Sequence, residues 1–148
     1  MNYKALLITS LIASAGVAPA SERPVKITDL PPAVRQSVDK ETKGATLRGL
    51  SRETEKGKVY YEAETTVDGR NRDILFNESG NVVEIEEQVP LERVPTGART
   101  AIEKYAAGGK VLNVESVTRD NTTSYEAQVR KAGKKSEVKV SPEGTVLK

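Results

Sequence analysis

Residues 59–76 read VYYEAETTVDGRNRDILF, and this stretch decides the predicted fold. Apolar and polar residues alternate on both sides of Asp68-Gly69. This dipeptide favours a two-residue hairpin turn, because both central positions of that turn need positive φ. Val67 then pairs with Arg70, and four apolar or aromatic residues share one face of the hairpin: Tyr61, Ala63, Ile74 and Phe76. The stretch therefore predicts an antiparallel hairpin with one buried face and one open face.

A second feature is internal similarity. Shifting the chain by 64 positions aligns residues 25–84 with residues 89–148 without a gap and with twelve identities, including glycines at predicted turns. Duplication of one folding unit explains such a pattern. The sequence therefore predicts an α+β fold of two tandem modules, residues 25–88 and 89–148, each with one helix packed on a four-stranded antiparallel meander sheet.

Each half begins with a helix signal. Thr28 or Asp29 is the predicted cap of the first helix, and Pro95 opens the second, since proline is tolerated in a first helical turn. Gly44 and Gly108 follow the two helical patterns and favour left-handed C-terminal caps. Strands are predicted at about 46–55, 59–67, 70–77 and 82–87 in the first half, and at 110–119, 123–131, 134–141 and 146–148 in the second.

Residues 1–20 have the features of a secretory signal peptide. Lys4 is followed by an apolar stretch of about 13 residues and by the small-x-small pattern Ala18-Pro19-Ala20. The stretch is shorter than the roughly 20 residues of a membrane-spanning helix, although an uncleaved anchor is an alternative. We therefore expect residues 21–148 to be a periplasmic or extracellular bacterial protein without stable membrane insertion after cleavage.

The open sheet faces carry the candidate binding residues. Eight positions are predicted to contact a partner: Tyr60, Glu62, Glu64, Asp73, Leu75, Arg130, Lys135 and Lys139. Residues 25–88 contain 10 basic and 13 acidic side chains, whereas residues 89–148 contain 11 and 7. Such a dipolar charge distribution can steer association with a charged partner or orient two copies head to tail. The alternative is that the strands carry mixed charge only for solubility.

The composition argues against catalysis. The chain has no histidine and no cysteine, which removes the commonest general base, the commonest metal ligand and every thiol nucleophile. Glu62, Glu64 and Asp73 would need a cleft to perturb their pKa values, and the acidic run at residues 84–87 is interpreted as a solvated entry into a linker. We therefore predict no enzyme activity, no cofactor and no metal site.

A nucleic-acid partner is also disfavoured. The formal net charge is only +2, and the aromatic content of 4% leaves few side chains for base stacking.

The motif Tyr61-Glu62-Ala63-Glu64-Thr65-Thr66-Val67-Asp68-Gly69-Arg70, with Gly80-Asn81-Val82-Val83-Glu84, resembles the PepSY-like family, which is related to β-lactamase-inhibitor-like domains. Tyr125-Glu126-Ala127-Gln128-Val129 with Gly144-Thr145-Val146-Leu147 resembles it again. The resemblance implies an exported bacterial protein with a helix-plus-antiparallel-sheet module. Some members of that family inhibit an enzyme by docking on the rim of its active site, and the resemblance extends this expectation to the present chain. No inhibitory residue is carried over.

The sequence thus predicts an exported, non-enzymatic protein-binding module that docks through open sheet faces. An inhibitor or regulator of an envelope or secreted enzyme, such as an exported hydrolase, is one form of this role. The alternative is a periplasmic sensor whose acidic face collects a small ligand or a cation.

Overall fold

Nine antiparallel strands lie side by side in the order in which they occur along the chain, in a computed structural model that describes residues 21–147. The strands are β1 (Ser21–Pro24), β2 (Thr46–Glu55), β3 (Lys58–Val67), β4 (Arg70–Asn77), β5 (Val82–Gln88), β6 (Lys110–Arg119), β7 (Thr122–Lys131), β8 (Lys134–Val140) and β9 (Val146–Leu147). Helix α1 (Pro32–Glu41) connects β1 to β2, and helix α2 (Thr96–Tyr105) connects β5 to β6. A short 3₁₀ turn precedes each helix, at Ile27–Asp29 and Leu91–Arg93.

The prediction of two tandem modules, each with its own four-stranded sheet, is wrong. β5 pairs with β6 from Glu84↔Arg119 to Gln88↔Glu115, so a single nine-stranded sheet runs through the whole structure. Two separate sheets would have left unpaired backbone N–H and C=O groups along β5 and β6, and their pairing satisfies these groups. The predicted boundary between residues 88 and 89 lies at the end of β5, and the sheet continues beyond it.

Pairing within the first hairpin is confirmed. Val67 pairs with Arg70, and the register continues to Tyr61↔Phe76 as the alternation predicts. Asp68 and Gly69 have φ values of 49° and 77°, the backbone conformation that this turn requires. Strands β2 and β5 to β9 begin and end within one residue of the predicted positions, whereas β1 was not predicted, and residue 148 lies outside the described residues.

Both helices pack on the same face of the sheet, where they bury two apolar clusters. Under α1 the buried residues are Leu30, Val34, Val38, Tyr61, Ala63, Ile74 and Phe76. Under α2 they are Val94, Ala98, Ile102, Val114, Ala127, Val138 and Val140. Ile85 of β5 packs against the first cluster, so the central strand turns its apolar side chains toward the helices. Tyr105, the last residue of α2, is 40% exposed.

The predicted cap of α1 is wrong, whereas the predicted helix ends are confirmed. The N-cap residue is Pro31, and it makes no side-chain capping hydrogen bond. The Asp29 carboxylate instead accepts a hydrogen bond of 3.2 Å from the backbone N–H of Lys26, within the preceding 3₁₀ turn. Gly44 and Gly108 adopt φ values of 84° and 77° just after the helices.

Close packing at Gly144 positions the start of α2. Its φ is 97°, and a Cβ atom there would lie 2.5 Å from the carbonyl oxygen of Gly97 in the first turn of the helix. The backbone N–H of Ala98 donates a hydrogen bond of 3.1 Å to the Pro142 carbonyl in the same contact. A side chain at residue 144 would separate the β8–β9 turn from the helix.

The predicted signal peptide, residues 1–20, lies outside the described residues. Within residues 21–147, neither helix has the length and hydropathy needed to cross a membrane.

Candidate functional site

The face of the sheet opposite the helices carries a band of carboxylates. Since Ala63, Ile74 and Ile85 point toward the helices, strand alternation places the residues next to them on the opposite face. We call the following eight residues the acidic band: Glu53, Glu62, Glu64, Asp73, Glu84, Glu86, Glu115 and Glu126. They cover six consecutive strands, from β2 to β7. The Glu115↔Glu126 pair places two carboxylates directly opposite each other.

Three basic side chains form ion pairs with part of the acidic band. The contacts are Arg48 to Asp73 (2.8 Å) and to Glu64 (3.4 Å), Arg119 to Glu84 (2.7 Å), and Lys139 to Glu126 (2.6 Å). Within residues 21–147, the other four members have no ion pair: Glu53, Glu62, Glu86 and Glu115. Half of the carboxylates in the band therefore have no basic side chain as a partner.

Burial shifts the protonation equilibria of these unpaired carboxylates. It raises the pKa of Glu62 to about 8, with a further contribution from the negative charge of Asp73. It also raises the pKa of Glu86 to about 8, and there the next contributions come from Glu84 and Glu115. Loss of hydration disfavours the charged form, and each neighbouring carboxylate adds to the effect. Near neutral pH, Glu62 and Glu86 therefore retain protons that exposed glutamates release.

Asp73 and Glu115 show how hydrogen bonding opposes burial. Arg48 and the backbone N–H of Thr65, 3.1 Å from the Asp73 carboxylate, lower the pKa of Asp73, but burial has the larger effect and the net shift is upward. The Asn113 side-chain amide donates a hydrogen bond of 2.8 Å to Glu115, again without cancelling the upward effect of burial on the pKa. Local donors thus compensate only part of the loss of hydration.

Apolar side chains lie between the carboxylates. Leu75 in β4 and Val117 in β6 are 7% and 2% exposed, although they are on the face that carries no helix. Leu75 was predicted to lie open on this face. It lies on the predicted side but is buried, because the long side chains around it on the twisted sheet shield it from solvent. The face is therefore an apolar floor surrounded by carboxylates.

The eight predicted binding residues share this one face. Five lie within or beside the acidic band: Tyr60, Glu62, Glu64, Asp73 and Leu75. Lys139 is bound to Glu126 inside the band. Arg130 and Lys135 are exposed and pair across β7 and β8, with Lys110 opposite Arg130 on β6. We call Lys110, Arg130 and Lys135 the basic end of the face.

Sequence reasoning missed part of the site. Glu84 and Glu86 fall in the predicted strand at 82–87 but were interpreted as a solvated run leading into a linker, and that interpretation is wrong because both are half-buried in the central strand β5. The alternation Val83-Glu84-Ile85-Glu86 was the available signal, since it is typical of a strand with one buried face. Glu53 and Glu115 carried no comparable signal, because their burial depends on which strands become neighbours.

One group of carboxylates in and beside the band has a spacing compatible with a cation. Oxygen atoms of Glu22, Glu62 and Glu64 lie within 4.8 Å of one another. Calcium takes roughly six to eight oxygen ligands, so these three residues supply part of such a site and water or a bound molecule would have to complete it.

Solved structures of proteins from Bacteroides share this architecture. A protein described as periplasmic from Bacteroides eggerthii has a TM-score of 0.67 and 23% identity, covering 80% of this chain and 86% of that one. A DUF2874 family protein from Bacteroides ovatus has a TM-score of 0.63 and 23% identity, with coverage of 80% and 85%. A BLIP-like protein from Bacteroides fragilis has a TM-score of 0.60 and 24% identity, with coverage of 80% and 84%. At these identities the similarity establishes a shared fold.

A search of curated proteins finds no match to the sequence. The sequence profile of the PepSY-like family, described as β-lactamase-inhibitor-like, matches residues 59–148. The matched part extends from β3 to the end of the chain and includes most of the acidic band and the whole basic end. The chain therefore belongs to the PepSY-like, β-lactamase-inhibitor-like family.

Proposed function

We propose that this protein is an exported, non-enzymatic binding protein that docks a partner protein through the helix-free face of its sheet. The observation that carries the proposal is the combination of unpaired carboxylates with a buried apolar floor, Leu75 and Val117, on a face that no helix covers. Leu75 and Val117 lie beneath the carboxylates, so a partner would contact the polar side chains that cover them. Tyr60, half-buried at one side of the band, adds an aromatic side chain of the kind that anchors interfaces.

The shape of the surface favours a macromolecular partner. A depression of about 200 Å³ lies between the β3–β4 turn and the end of β5, lined by residues that include Val67, Arg70 and Gln88. Sites for small molecules are typically clefts of roughly 300–1,000 Å³ that enclose most of the ligand. The acidic band, in contrast, extends over six strands.

Export and a regulatory role complete the proposal. The signal-like features of residues 1–20 and the description of a structural neighbour as periplasmic both support export. Inhibition or regulation of an exported enzyme is supported by the family description and by the BLIP-like neighbour from Bacteroides fragilis. The absence of histidine and cysteine from the sequence supports a role without catalysis.

Cation sensing is the second candidate, and the close approach of Glu22, Glu62 and Glu64 favours it. Under this alternative, calcium would raise the melting temperature of the wild-type protein and would no longer do so after Glu64→Gln.

Site-specific photo-crosslinking tests the docking proposal. A benzophenone amino acid replaces Tyr60 on the helix-free face, and a matched probe replaces the exposed Gln36 of α1. After irradiation in a periplasmic and secreted extract, we expect a discrete adduct with one partner only from position 60. Equal labelling from both positions, or no adduct from position 60, would exclude docking through this face.

A further inference from the structure

We propose that the acidic band binds a basic segment of the partner, an extended stretch rich in lysine or arginine. This inference rests on the proposed function, because it specifies the chemistry of the partner that docks on the same face. Charge complementarity is the main argument, since eight carboxylates meet only three basic side chains in and around the band.

The unpaired carboxylates are held close together without counter-charges. Glu86 faces Asp73 on one side and Val117 on the other, and Glu84 lies two residues away on the same face of β5. Glu62 has Glu64 beside it on β3, with Leu75 opposite on β4 and Ser51 opposite on β2. Like charges at such spacing destabilise one another. An ammonium or guanidinium group placed among them would relieve this repulsion and displace the protons that Glu62 and Glu86 retain near neutral pH.

Burial strengthens the argument for a cationic partner. Each member of the band is at least half-buried, and Glu115 is only 5% exposed. Charge interactions at partly buried positions are stronger than at open surface positions, and salt screens them less. Much of the hydration of these carboxylates is already lost in the free protein, so a basic partner removes little more water from them.

A hydrogen-bond acceptor without a donor provides a second observation. The Oδ1 atom of Asn113 is buried and has no hydrogen-bond partner among the described residues, while the nitrogen of the same amide donates to Glu115. Buried polar atoms are nearly always paired, and an unpaired acceptor costs free energy. Lysine and arginine bring several N–H donors, and one of them would satisfy this acceptor if the Asn113 side chain turned toward the surface on binding.

The dimensions of the band set the length of the bound segment. Six neighbouring strands at about 4.8 Å spacing give a width of about 24 Å from β2 to β7. An extended segment of about seven residues covers this distance. The basic end would repel such a segment, because Lys110, Arg130 and Lys135 lie together there. The segment is therefore confined to the part of the face between β2 and the middle of β7.

Binding of a defined probe tests the inference. The probe is a fluorescent eight-residue peptide of alternating lysine and serine, with a glutamate and serine peptide as its matched control, and the readout is fluorescence anisotropy with the full chain. We expect only the lysine peptide to bind, and we expect its affinity to fall by about tenfold when salt is raised from about 20 to 200 mM. Binding of both peptides, or of neither, would overturn the inference.

Matched variants locate the binding surface. At about pH 9, where Glu62 and Glu86 are ionised, Glu62→Gln, Glu86→Gln and Glu115→Gln together should weaken binding of the lysine peptide by at least about tenfold, because three charge contacts are removed. The control removes three exposed carboxylates elsewhere, through Glu78→Gln, Glu92→Gln and Glu103→Gln, and should leave the affinity within about twofold of the wild type if the band is the site. Equal losses in the two triple variants would contradict a local site.

Carbodiimide crosslinking of the lysine peptide to the unmodified wild-type protein gives a readout that does not depend on the folding of a variant. Mass spectrometry should find the crosslinks in the band, and crosslinks confined to the helices would overturn the inference.

A position-60 photo-adduct without lysine-peptide binding would leave face docking supported and reject the basic segment. Competition by about 1 mM calcium, but not by salt of equal ionic strength, would assign the carboxylates to a cation instead. A dimer that the peptide cannot dissociate would assign the face to a second copy of the chain.

Discussion

Replacing Glu62 and Glu86 by glutamine should remove a pH dependence of stability that the wild-type protein possesses. An exposed glutamate has a pKa near 4.5, and burial raises the pKa of both residues to about 8 in the folded protein. Between these two values the folded protein binds more protons than the unfolded chain. The free energy of unfolding therefore decreases as pH rises through this range, and the decrease is complete above the folded pKa.

The magnitude follows from the size of the shift. A rise of this extent corresponds to about 5 kcal/mol for a carboxyl group that is fully removed from solvent. Solvent still reaches the half-buried side chains and screens part of the effect, so we expect about 2–3 kcal/mol for each residue. The variant Glu62→Gln, Glu86→Gln should thus be more stable than the wild type by about 4–6 kcal/mol at about pH 9, and nearly equal to it at about pH 5.

Urea denaturation followed by far-ultraviolet circular dichroism measures this difference, since the chain has no tryptophan for a fluorescence signal. The control variant, Glu92→Gln with Glu103→Gln, removes the same charge from exposed positions and should follow the wild-type pH profile. If the variant at Glu62 and Glu86 keeps the wild-type slope between about pH 5 and pH 9, the burial of these carboxylates is refuted.

Three further predictions concern packing, and urea denaturation at fixed pH measures each of them. Gly144→Ala should destabilise the protein by about 2 kcal/mol or more, because its Cβ would clash with the carbonyl oxygen of Gly97, and Gly133→Ala, which meets no atom within 4 Å, should cost about 1 kcal/mol. A similar loss at both glycines would contradict the contact. Phe76→Ala should cost about 3–5 kcal/mol, since Phe76 is fully buried under α1, and a loss below about 1 kcal/mol would exclude it from the core. Val117→Asp should destabilise the protein more than Val117→Ala, because it buries another carboxylate beside Glu86, and the difference should shrink at low pH as the acids become protonated.

Local features of the fold could be predicted from the sequence, because their causes are local. Asp68-Gly69 fixes the turn, and the alternation around it fixes the pairing of Tyr61 with Phe76, six residue pairs beyond Val67↔Arg70. Gly44 and Gly108 mark the helix ends for the same reason, since only their own backbone conformation is involved. The capping of α1 was mispredicted because the preceding 3₁₀ turn had already engaged Asp29.

The continuity of the sheet could not be predicted in this way. Pairing of Glu86 with Val117 depends on the connection through α2 placing β6 beside β5, and no pattern in residues 84–88 specifies that neighbour. The burial of the band follows in part from the same pairing, because Glu86 and Glu115 become neighbours of each other only when β5 and β6 meet. The interpretation of residues 84–87 as a linker failed for this reason. The binding role of the face stays a prediction.

The strand order of the sheet has a consequence for how the chain folds. Each strand pairs with the strand that precedes it and the strand that follows it in the sequence, so no strand has to wait for a distant part of the chain. Pairings between sequence neighbours carry a small loop-closure cost and favour rapid folding. A chain that emerges N-terminus first can therefore extend the sheet one strand at a time, with β2 and β6 as the two strands whose pairing follows a helix.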